Sequence, residues 1–221
     1  MNIEKEITAI LKNVGALLTD SHFVGTSGRH MPGYINKDLL FLHPQKASDV
    51  GRMFAEKFKN KNIEIVVGPA VGGTILSQWT AYHLSKLKKK EVLSTYTEKD
   101  KGTSASASES EQIFRRGYEK YVKNKKVLVI EDLTTTGLSV KKLIDTVKKA
   151  GGKVVAVCVM INRDPKLVNS KSIGAPFFSL GVVEIPSYEE KDCPLCKAKV
   201  PINTSVGHGK KFLEAKQKVN A

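Results

Sequence analysis

The stretch VLVIEDLTTTGLSV, residues 127–140, says most about how this chain folds. Its first half is a continuous apolar run, which is typical of a strand buried on both faces of a parallel sheet. The run ends in two acids, Glu131 and Asp132, and a short segment rich in threonine then leads into a helix predicted over residues 138–150. The stretch therefore predicts a buried strand, a tight loop and a helix, with polar side chains at the carboxyl end of the strand.

Strands and helices alternate on both sides of this stretch. Further strands are predicted by apolar runs at residues 63–68, 91–97, 153–161 and 177–184. Helices are predicted by amphipathic spacing at residues 2–19, 47–59 and 72–87, the second with Ser48 as its N-cap. This alternation predicts an α/β fold, a parallel sheet flanked by helices on both faces. Ligands of such sheets bind beyond the carboxyl ends of the strands.

The two ends of the chain do not follow this rhythm. Residues 20–45 are irregular and rich in glycine and proline, and the tail after residue 184 is equally irregular. We therefore expect residues 1–221 to form a single domain. Its core would span about residues 46–184, and a small hood would be built from about residues 1–45 and 185–221.

Composition narrows the class of protein. The net charge is +14, from 36 basic and 22 acidic residues, but the lysines are scattered over predicted outer helix faces. This pattern favours a solvated surface, and it also suits a basic site for a polyanionic small molecule, whereas nucleic acid is an unlikely partner. No apolar run reaches the roughly 18 residues of a membrane span, and the charged N-terminus does not resemble a signal peptide. We expect a cytoplasmic protein without a membrane partner.

The loop after the acid pair combines two kinds of binding group. Glu131 and Asp132 could hold a magnesium ion or the vicinal hydroxyls of a ribose, while the loop's N–H groups and the helix N-terminus suit a phosphate. The hydroxyls that could assist are those of Thr134, Thr135, Thr136 and Ser139. The alternative is a strand end followed by an ordinary Thr/Ser helix cap. A second turn, VVGPAVGGTILS at residues 66–77, could let the backbone approach an anion or could only permit tight packing.

The 127–140 segment resembles the signature with which type I phosphoribosyltransferases bind phosphoribosyl pyrophosphate (PRPP), and the resemblance extends over about residues 20–210. It implies a magnesium-dependent transfer of 5-phosphoribosyl to a nucleobase, with Mg²⁺ meeting Asp132 mainly through PRPP. It also implies PRPP contacts by Glu131, Asp132, Leu133, Thr134, Thr135, Thr136, Gly137, Leu138 and Ser139. The pyrophosphate would lie on Ala70, Val71, Gly72 and Gly73.

The segment HFVGTSGRHMPGYINKD, residues 22–38, resembles the N-terminal region of orotate phosphoribosyltransferases. In those enzymes a lysine precedes the SGR triplet; here Thr26 stands at that position and Lys37 is the substitute we consider. The resemblance implies base contacts by Tyr34, Lys37, Thr135 and Arg163, the last being the residue that would pair with a base carboxylate. Orotate is therefore the first candidate base. A phosphoribosyltransferase for another base, such as a purine, and a PRPP-sensing regulator of the same fold remain alternatives.

Residues 98–112, EKDKGTSASASESEQ, contain few groups that could anchor a core and predict a mobile loop. TEKDKG, residues 97–102, resembles the end of the catalytic loop of orotate phosphoribosyltransferases, with Lys101 in place of a histidine. The implied catalytic residues are Lys99, Lys101 and Asp132. Arg115 and Arg116 could supply further cations. The resemblance also implies a homodimer in which this loop reaches the neighbouring subunit.

Three cysteines are present, too few and too unevenly placed for a disulfide framework. Cys158 lies in an apolar run and is predicted to be a buried hydrophobe. Cys193 and Cys196 form a CxxC that, with His208, offers at most three zinc ligands, so His22, His30 or His43 would have to complete a site of four. The sequence favours packing of two free thiols in the hood over a zinc site.

Overall fold

The computed structural model describes residues 3–25, 27–100 and 110–219. In chain order the strands are β1 (Leu17–Leu18), β2 (Phe23–Val24), β3 (His30–Met31), β4 (Tyr34–Ile35), β5 (Ile65–Pro69), β6 (Leu93–Lys99), β7 (Gln112–Ile113), β8 (Lys126–Thr134), β9 (Lys153–Asn162) and β10 (Phe177–Val182). The helices are α1 (Ile3–Asn13), α2 (Asp38–Phe41), α3 (Pro44–Phe58), α4 (Gly72–Lys88), α5 (Glu119–Val122), α6 (Leu138–Lys149), α7 (Ser170–Ile173), α8 (Pro194–Lys197) and α9 (Gly209–Val219). These residues form two compact units, one of residues 3–10 and 40–183 and one of residues 11–39 and 184–219.

The first unit contains a six-stranded sheet of order β10-β9-β8-β5-β6-β7, in which only the β6–β7 pair is antiparallel. Successive side chains of a strand point to opposite faces of a sheet. One face of the central strands packs against α6 through Val127, Val129, Leu143 and Val147, which are fully buried. The predicted α/β fold with its parallel sheet is confirmed.

The opposite face of this sheet is covered by α3 and α4. Phe58 of α3 packs edge-on against Phe178 of β10, with ring centroids 5.5 Å apart. α4 lies beside β5, β6 and β8 and buries Leu76 and Leu84. The sheet therefore has helices on both faces, and its two central strands, β5 and β8, are almost entirely buried.

Two predicted boundaries are wrong. The first helix ends at Asn13 rather than near residue 19, because Gly15 adopts a φ of +70° and the chain then enters β1. α3 begins at Pro44, a residue suited to a first helical turn, and not at Ser48. Ser48 is instead buried within the helix, with its Oγ 2.9 Å from His83 Nε2.

The second unit is built from the N-terminal and C-terminal segments. β1 pairs antiparallel with β4, and β2 pairs antiparallel with β3. The C-terminal segment joins them through isolated bridges, His22 with Ile202 and His30 with Tyr188. The predicted hood shares most of its residues with this unit, although residues 3–10 and 40–45 belong to the first unit.

None of the helices described combines the length and apolar composition that crossing a membrane would require.

Candidate active site

The acid pair lies at the carboxyl end of β8, and both side chains are buried, with exposed fractions of 6% for Glu131 and 5% for Asp132. Glu131 Oε2 accepts a hydrogen bond from Ser139 Oγ at 3.0 Å, and Oε1 accepts one from the Asp132 N–H at 3.1 Å. Burying a carboxylate is costly unless donors surround it. The first turn of α6 therefore supplies a donor that helps to hold Glu131 in place.

The loop between β8 and α6 is closed by its own side chains. The Gly137 N–H donates to Thr134 Oγ1 at 3.1 Å. Gly137 has a φ of +76°, and a Cβ there would lie 2.8 Å from Ile173 Cδ1, so only glycine fits at this turn. Thr135 and Thr136, by contrast, are exposed.

The N-terminus of α6 is open to a ligand. Among the described residues no side chain caps this 12-residue helix at Gly137, and the hydroxyl contact to its first helical N–H group, from the Leu138 N–H to Thr136 Oγ1, is long at 3.5 Å. The first N–H groups of a helix lack partners within the helix, and they favour an anion there. The alternative of an ordinary Thr/Ser helix cap is therefore not what the loop forms.

The loop between β5 and α4 is a second close-packed turn. The Ala70 N–H donates to the Thr97 carbonyl at 2.8 Å, and the following peptide, Ala70–Val71, is cis. A Cβ on Gly68 would overlap the Gly73 carbonyl, so the two ends of the turn touch through their backbones. Val71 at the tip is 72% exposed. The glycines thus permit tight packing and leave the tip of the turn accessible.

Gly72 joins the two loops. A Cβ at this position would overlap Asp132 Oδ2 and lie 2.9 Å from Phe41 Cε2. The acid of β8 and the first residue of α4 are therefore in contact, although 59 intervening residues separate them in the sequence. Nothing in the sequence predicts that the Phe41 ring lies against Gly72 at this contact.

Arg163 follows β9, the strand next to β8. Its main-chain N–H donates to the Thr134 carbonyl at 2.9 Å, and its side chain is half-buried. The structure thus brings Arg163 to the same edge of the sheet as the 131–139 segment. The hydrogen bond that holds Arg163 at this edge is made by its main chain, so it does not require the side chain.

Of the predicted mobile loop, residues 98–112, the structure describes residues 98–100 and 110–112, and these belong to a strand pair and its flanks. Lys99 is the last residue of β6 and pairs with Gln112 of β7, and the Asp100 N–H donates to the Glu111 carbonyl at 2.9 Å. A buried hydrogen bond of 2.7 Å from Thr97 Oγ1 to Gln112 Oε1 anchors the pair. This hydrogen bond could not be predicted from the sequence, because Thr97 and Gln112 each stand in a polar stretch that is typical of solvent-exposed residues. Lys101 lies outside the described residues.

Arg115 and Arg116 are engaged in ion pairs at the base of this hairpin. Arg115 reaches Glu98 and Asp100, each at 3.6 Å, and Arg116 bonds to Glu98 and lies over the Tyr96 ring. Glu98, the largest cause, raises the pKa of Arg116 further. These two arginines therefore brace the hairpin, in place of the further cations that the sequence suggested.

Two further proposed base contacts, Tyr34 and Lys37, belong to the second unit, whereas Thr135 belongs to the first. Tyr34 is in β4, with its ring 5.7 Å from that of Phe23. Lys37 forms an ion pair with Asp38 at 3.0 Å. Arg29 of the SGR triplet donates to Ser187 and Glu189, so this arginine braces the tail. Thr26 lies outside the described residues.

The chain matches the family model described as "Phosphoribosyl transferase domain" over residues 38–174. The orotate phosphoribosyltransferase of Thermotoga maritima is 37% identical over 206 residues, 93% of this chain and 100% of the relative. That of Caldanaerobacter subterraneus subsp. tengcongensis is 32% identical over 200 residues, 90% of this chain and 96% of the relative. The fold is also that of the orotate phosphoribosyltransferase structure from Aeropyrum pernix, with a TM-score of 0.60, 21% identity, and coverage of 80% and 93% of the two chains.

Proposed function

The chain belongs to the phosphoribosyltransferase family and, within it, to the orotate phosphoribosyltransferases, and from this we propose that it transfers 5-phosphoribosyl from PRPP to orotate. The products are orotidine 5′-monophosphate and pyrophosphate, which makes the reaction a step of pyrimidine biosynthesis. The observation that carries the proposal is the end of β8, where two buried acids are followed by an open helix N-terminus.

The PRPP site that we propose lies at the end of β8 and in the neighbouring β5–α4 turn. Glu131 and Asp132 bind the ribose hydroxyls, and residues 133–139 bind the 5′-phosphate at the N-terminus of α6. The exposed tip of the β5–α4 turn, Ala70 and Val71, with Gly72 and Gly73 behind it, receives the pyrophosphate. Because Gly72 touches Asp132, the ribose and pyrophosphate subsites are adjacent.

A second set of residues is proposed to bind the base and to stabilise the leaving pyrophosphate. Arg163 pairs with the orotate carboxylate through two parallel N–H bonds, and Thr135, Tyr34 and Lys37 complete the base site. A ring nitrogen of orotate displaces pyrophosphate at the anomeric carbon. Lys99 and Lys101 stabilise the negative charge that grows on pyrophosphate while the loop excludes water.

Magnesium fits this site by the chemistry of its donors. Mg²⁺ prefers oxygen ligands and is commonly held by one or two carboxylates together with substrate phosphates. Asp132, with Glu131 beside it, offers such carboxylates at the end of β8. When bound, Mg²⁺ supplies positive charge that neutralises the pyrophosphate.

The assembly we propose is a homodimer in which the loop containing Lys99 and Lys101 closes over the neighbouring subunit's site. The family resemblance of the loop supports this proposal, as does the exposure of Lys99 at the end of β6. PRPP, orotate and a second copy of the chain are the partners, and nucleic acid is not among them.

The decisive experiment measures pyrophosphate release from PRPP by the purified chain, with and without orotate and with and without Mg²⁺. We expect release that requires both, and near loss of turnover in Asp132→Asn. Asp145→Asn, an exposed acid on α6, is the matched control and should keep wild-type activity. Turnover of hypoxanthine or guanine but not orotate would instead assign a purine base, and PRPP binding without any turnover would indicate a regulator.

A further inference from the structure

Four side chains with metal-binding atoms converge in the second unit: His22, His30, Cys193 and Cys196. One ligand atom from each lies within 4.8 Å of all the others. Cys193 and His30 are fully buried and His22 is 1% exposed, whereas Cys196 is half-buried. The sequence pointed to His208 as the third ligand and to His22, His30 or His43 as the fourth, whereas among the described residues the group contains both His22 and His30 and neither His43 nor His208.

His22 is oriented as a metal-binding histidine is. Its Nδ1 lies 2.8 Å from the Val200 carbonyl, an acceptor, so Nδ1 carries the proton and donates it. The lone pair is then on Nε2, which faces the cluster. A backbone carbonyl that fixes the tautomer and ring orientation in this way is the usual outer partner of a zinc-bound imidazole.

The distances between the ligand atoms suit a tetrahedral ion. His22 Nε2 lies 3.7 Å from Cys193 Sγ and 3.8 Å from Cys196 Sγ, and His30 Nδ1 lies 3.3 Å from Cys196 Sγ. Bonds of about 2.0 Å to nitrogen and 2.3 Å to sulfur give tetrahedral nitrogen–sulfur edges of roughly 3.6 Å. The nitrogen–nitrogen separation, 2.7 Å, is shorter than the roughly 3.3 Å edge of such a site and would open slightly around an ion.

His30 has its polar contacts on the cluster side. Its Nδ1 meets His22 and Cys196, while Nε2 is buried without a hydrogen-bond partner in the described part of the chain. The ring also packs edge-on against Phe212, with centroids 4.9 Å apart. A neutral imidazole that binds through Nδ1 keeps its proton on Nε2, which matches this environment.

We propose that His22, His30, Cys193 and Cys196 bind one structural Zn²⁺. Two thiolates and two imidazoles are a complete tetrahedral set, and two thiolates neutralise the charge of the ion. Four protein ligands leave no open position, so the ion has no catalytic water. Its role is to fasten the β2–β3 hairpin to the tail that contains α8; His22 directly precedes β2, and His30 is the first residue of β3.

Zinc binds cysteine as the thiolate, so binding of the ion releases the thiol protons of Cys193 and Cys196. Cys196 lines a surface cavity of about 530 Å³ with Glu189, Glu190 and Lys191, which gives the ion a path of entry.

The experiment uses the full chain without a histidine tag, because a tag would bind metal itself. Metal content is measured by mass spectrometry after dialysis against a weak chelator. We expect about one zinc per wild-type chain and at least a roughly tenfold loss in Cys193→Ser and in His22→Gln, because each removes a ligand of a tetrahedral site. Cys158→Ala, a buried cysteine in the first unit, is the matched control and should retain the zinc.

A second measurement does not depend on how well the variants fold. Metal-free wild-type chain is titrated with Co²⁺, which should give the strong visible absorption of a tetrahedral site and a sulfur-to-cobalt charge-transfer band, saturating at about one ion per chain. Wild-type protein that binds no zinc and gives no such spectrum overturns the proposal. A thiol titration that finds Cys193 and Cys196 joined as a disulfide in the protein as purified, before any metal is removed, also overturns it.

Discussion

The backbone of Gly72 is pressed against the carboxylate of Asp132, so that a side chain of any size at position 72 would overlap Oδ2. Gly72 is the first residue of α4, and Asp132 lies near the end of β8. Since β5 and β8 are neighbouring parallel strands, their carboxyl ends bring the two loops together. This contact joins the proposed pyrophosphate and ribose subsites.

Gly72→Ala should therefore damage the site more than the fold. Alanine favours a helix at this position, but its Cβ must displace the Asp132 carboxylate. We expect kcat/KM for PRPP to fall at least about tenfold, which corresponds to about 1.4 kcal/mol. Steady-state kinetics and the thermal midpoint are the measurements. Gly15→Ala is the control: its Cβ meets nothing within 4 Å, but the φ of +70° strains alanine, so it should lower the thermal midpoint and leave the kinetics unchanged.

Arg163→Ala should raise the KM for orotate strongly and leave that for PRPP nearly unchanged. Losing a bidentate pair with a carboxylate should cost at least about tenfold, since charge-assisted bonds contribute roughly 1.5–3 kcal/mol each. The fold should persist, because the bond that fixes this position is made by the main chain to Thr134. Arg163→Lys should restore only part of the loss. An equal loss for both substrates would make Arg163 a structural residue instead.

Lys99→Ala should lower the maximal rate more than it weakens PRPP binding, because we expect this lysine to act on charge that develops in the transition state. Mixing inactive Lys99→Ala with inactive Asp132→Asn should restore activity if the loop acts across subunits, since some mixed dimers then contain one intact site. The measurement is the rate of the mixture after subunit exchange has been verified. Unchanged inactivity would contradict a shared site.

Gln112→Ala should destabilise the first unit. The Gln112 side-chain oxygen Oε1 accepts a buried hydrogen bond from Thr97 Oγ1. The main-chain carbonyl of Gln112 accepts a second one from Thr146 Oγ1 at 2.6 Å, which an alanine would keep. Removing the side chain leaves the Thr97 hydroxyl buried without this acceptor, which costs about 1–3 kcal/mol of unfolding free energy. Denaturant unfolding measures the change. Glu111→Ala is the neighbouring control, and because its ion pair with Lys149 is exposed, it should change stability by less than about 1 kcal/mol.

The residues of the 127–140 stretch show how far the sequence reaches. Its apolar run, its two acids and its glycine are local features, and they predicted β8, the turn and α6 to within a few residues. The hydrogen bond from Ser139 to Glu131 was not predicted, because the sequence indicated Ser139 only as a phosphate ligand. A hydroxyl has several acceptors within reach, and only the folded loop selects one.

Local sequence patterns were enough to predict the α/β fold and the acids and glycines of the site, because strand and helix periodicity and turn chemistry act over neighbouring residues. Three contacts became visible only in the folded chain: Gly72 with Asp132, Thr97 with Gln112, and Cys193 with His22, which is 171 positions away. Such contacts depend on the order and register of strands and on where the chain ends return. No local pattern encodes these, because they follow from how distant segments pack together.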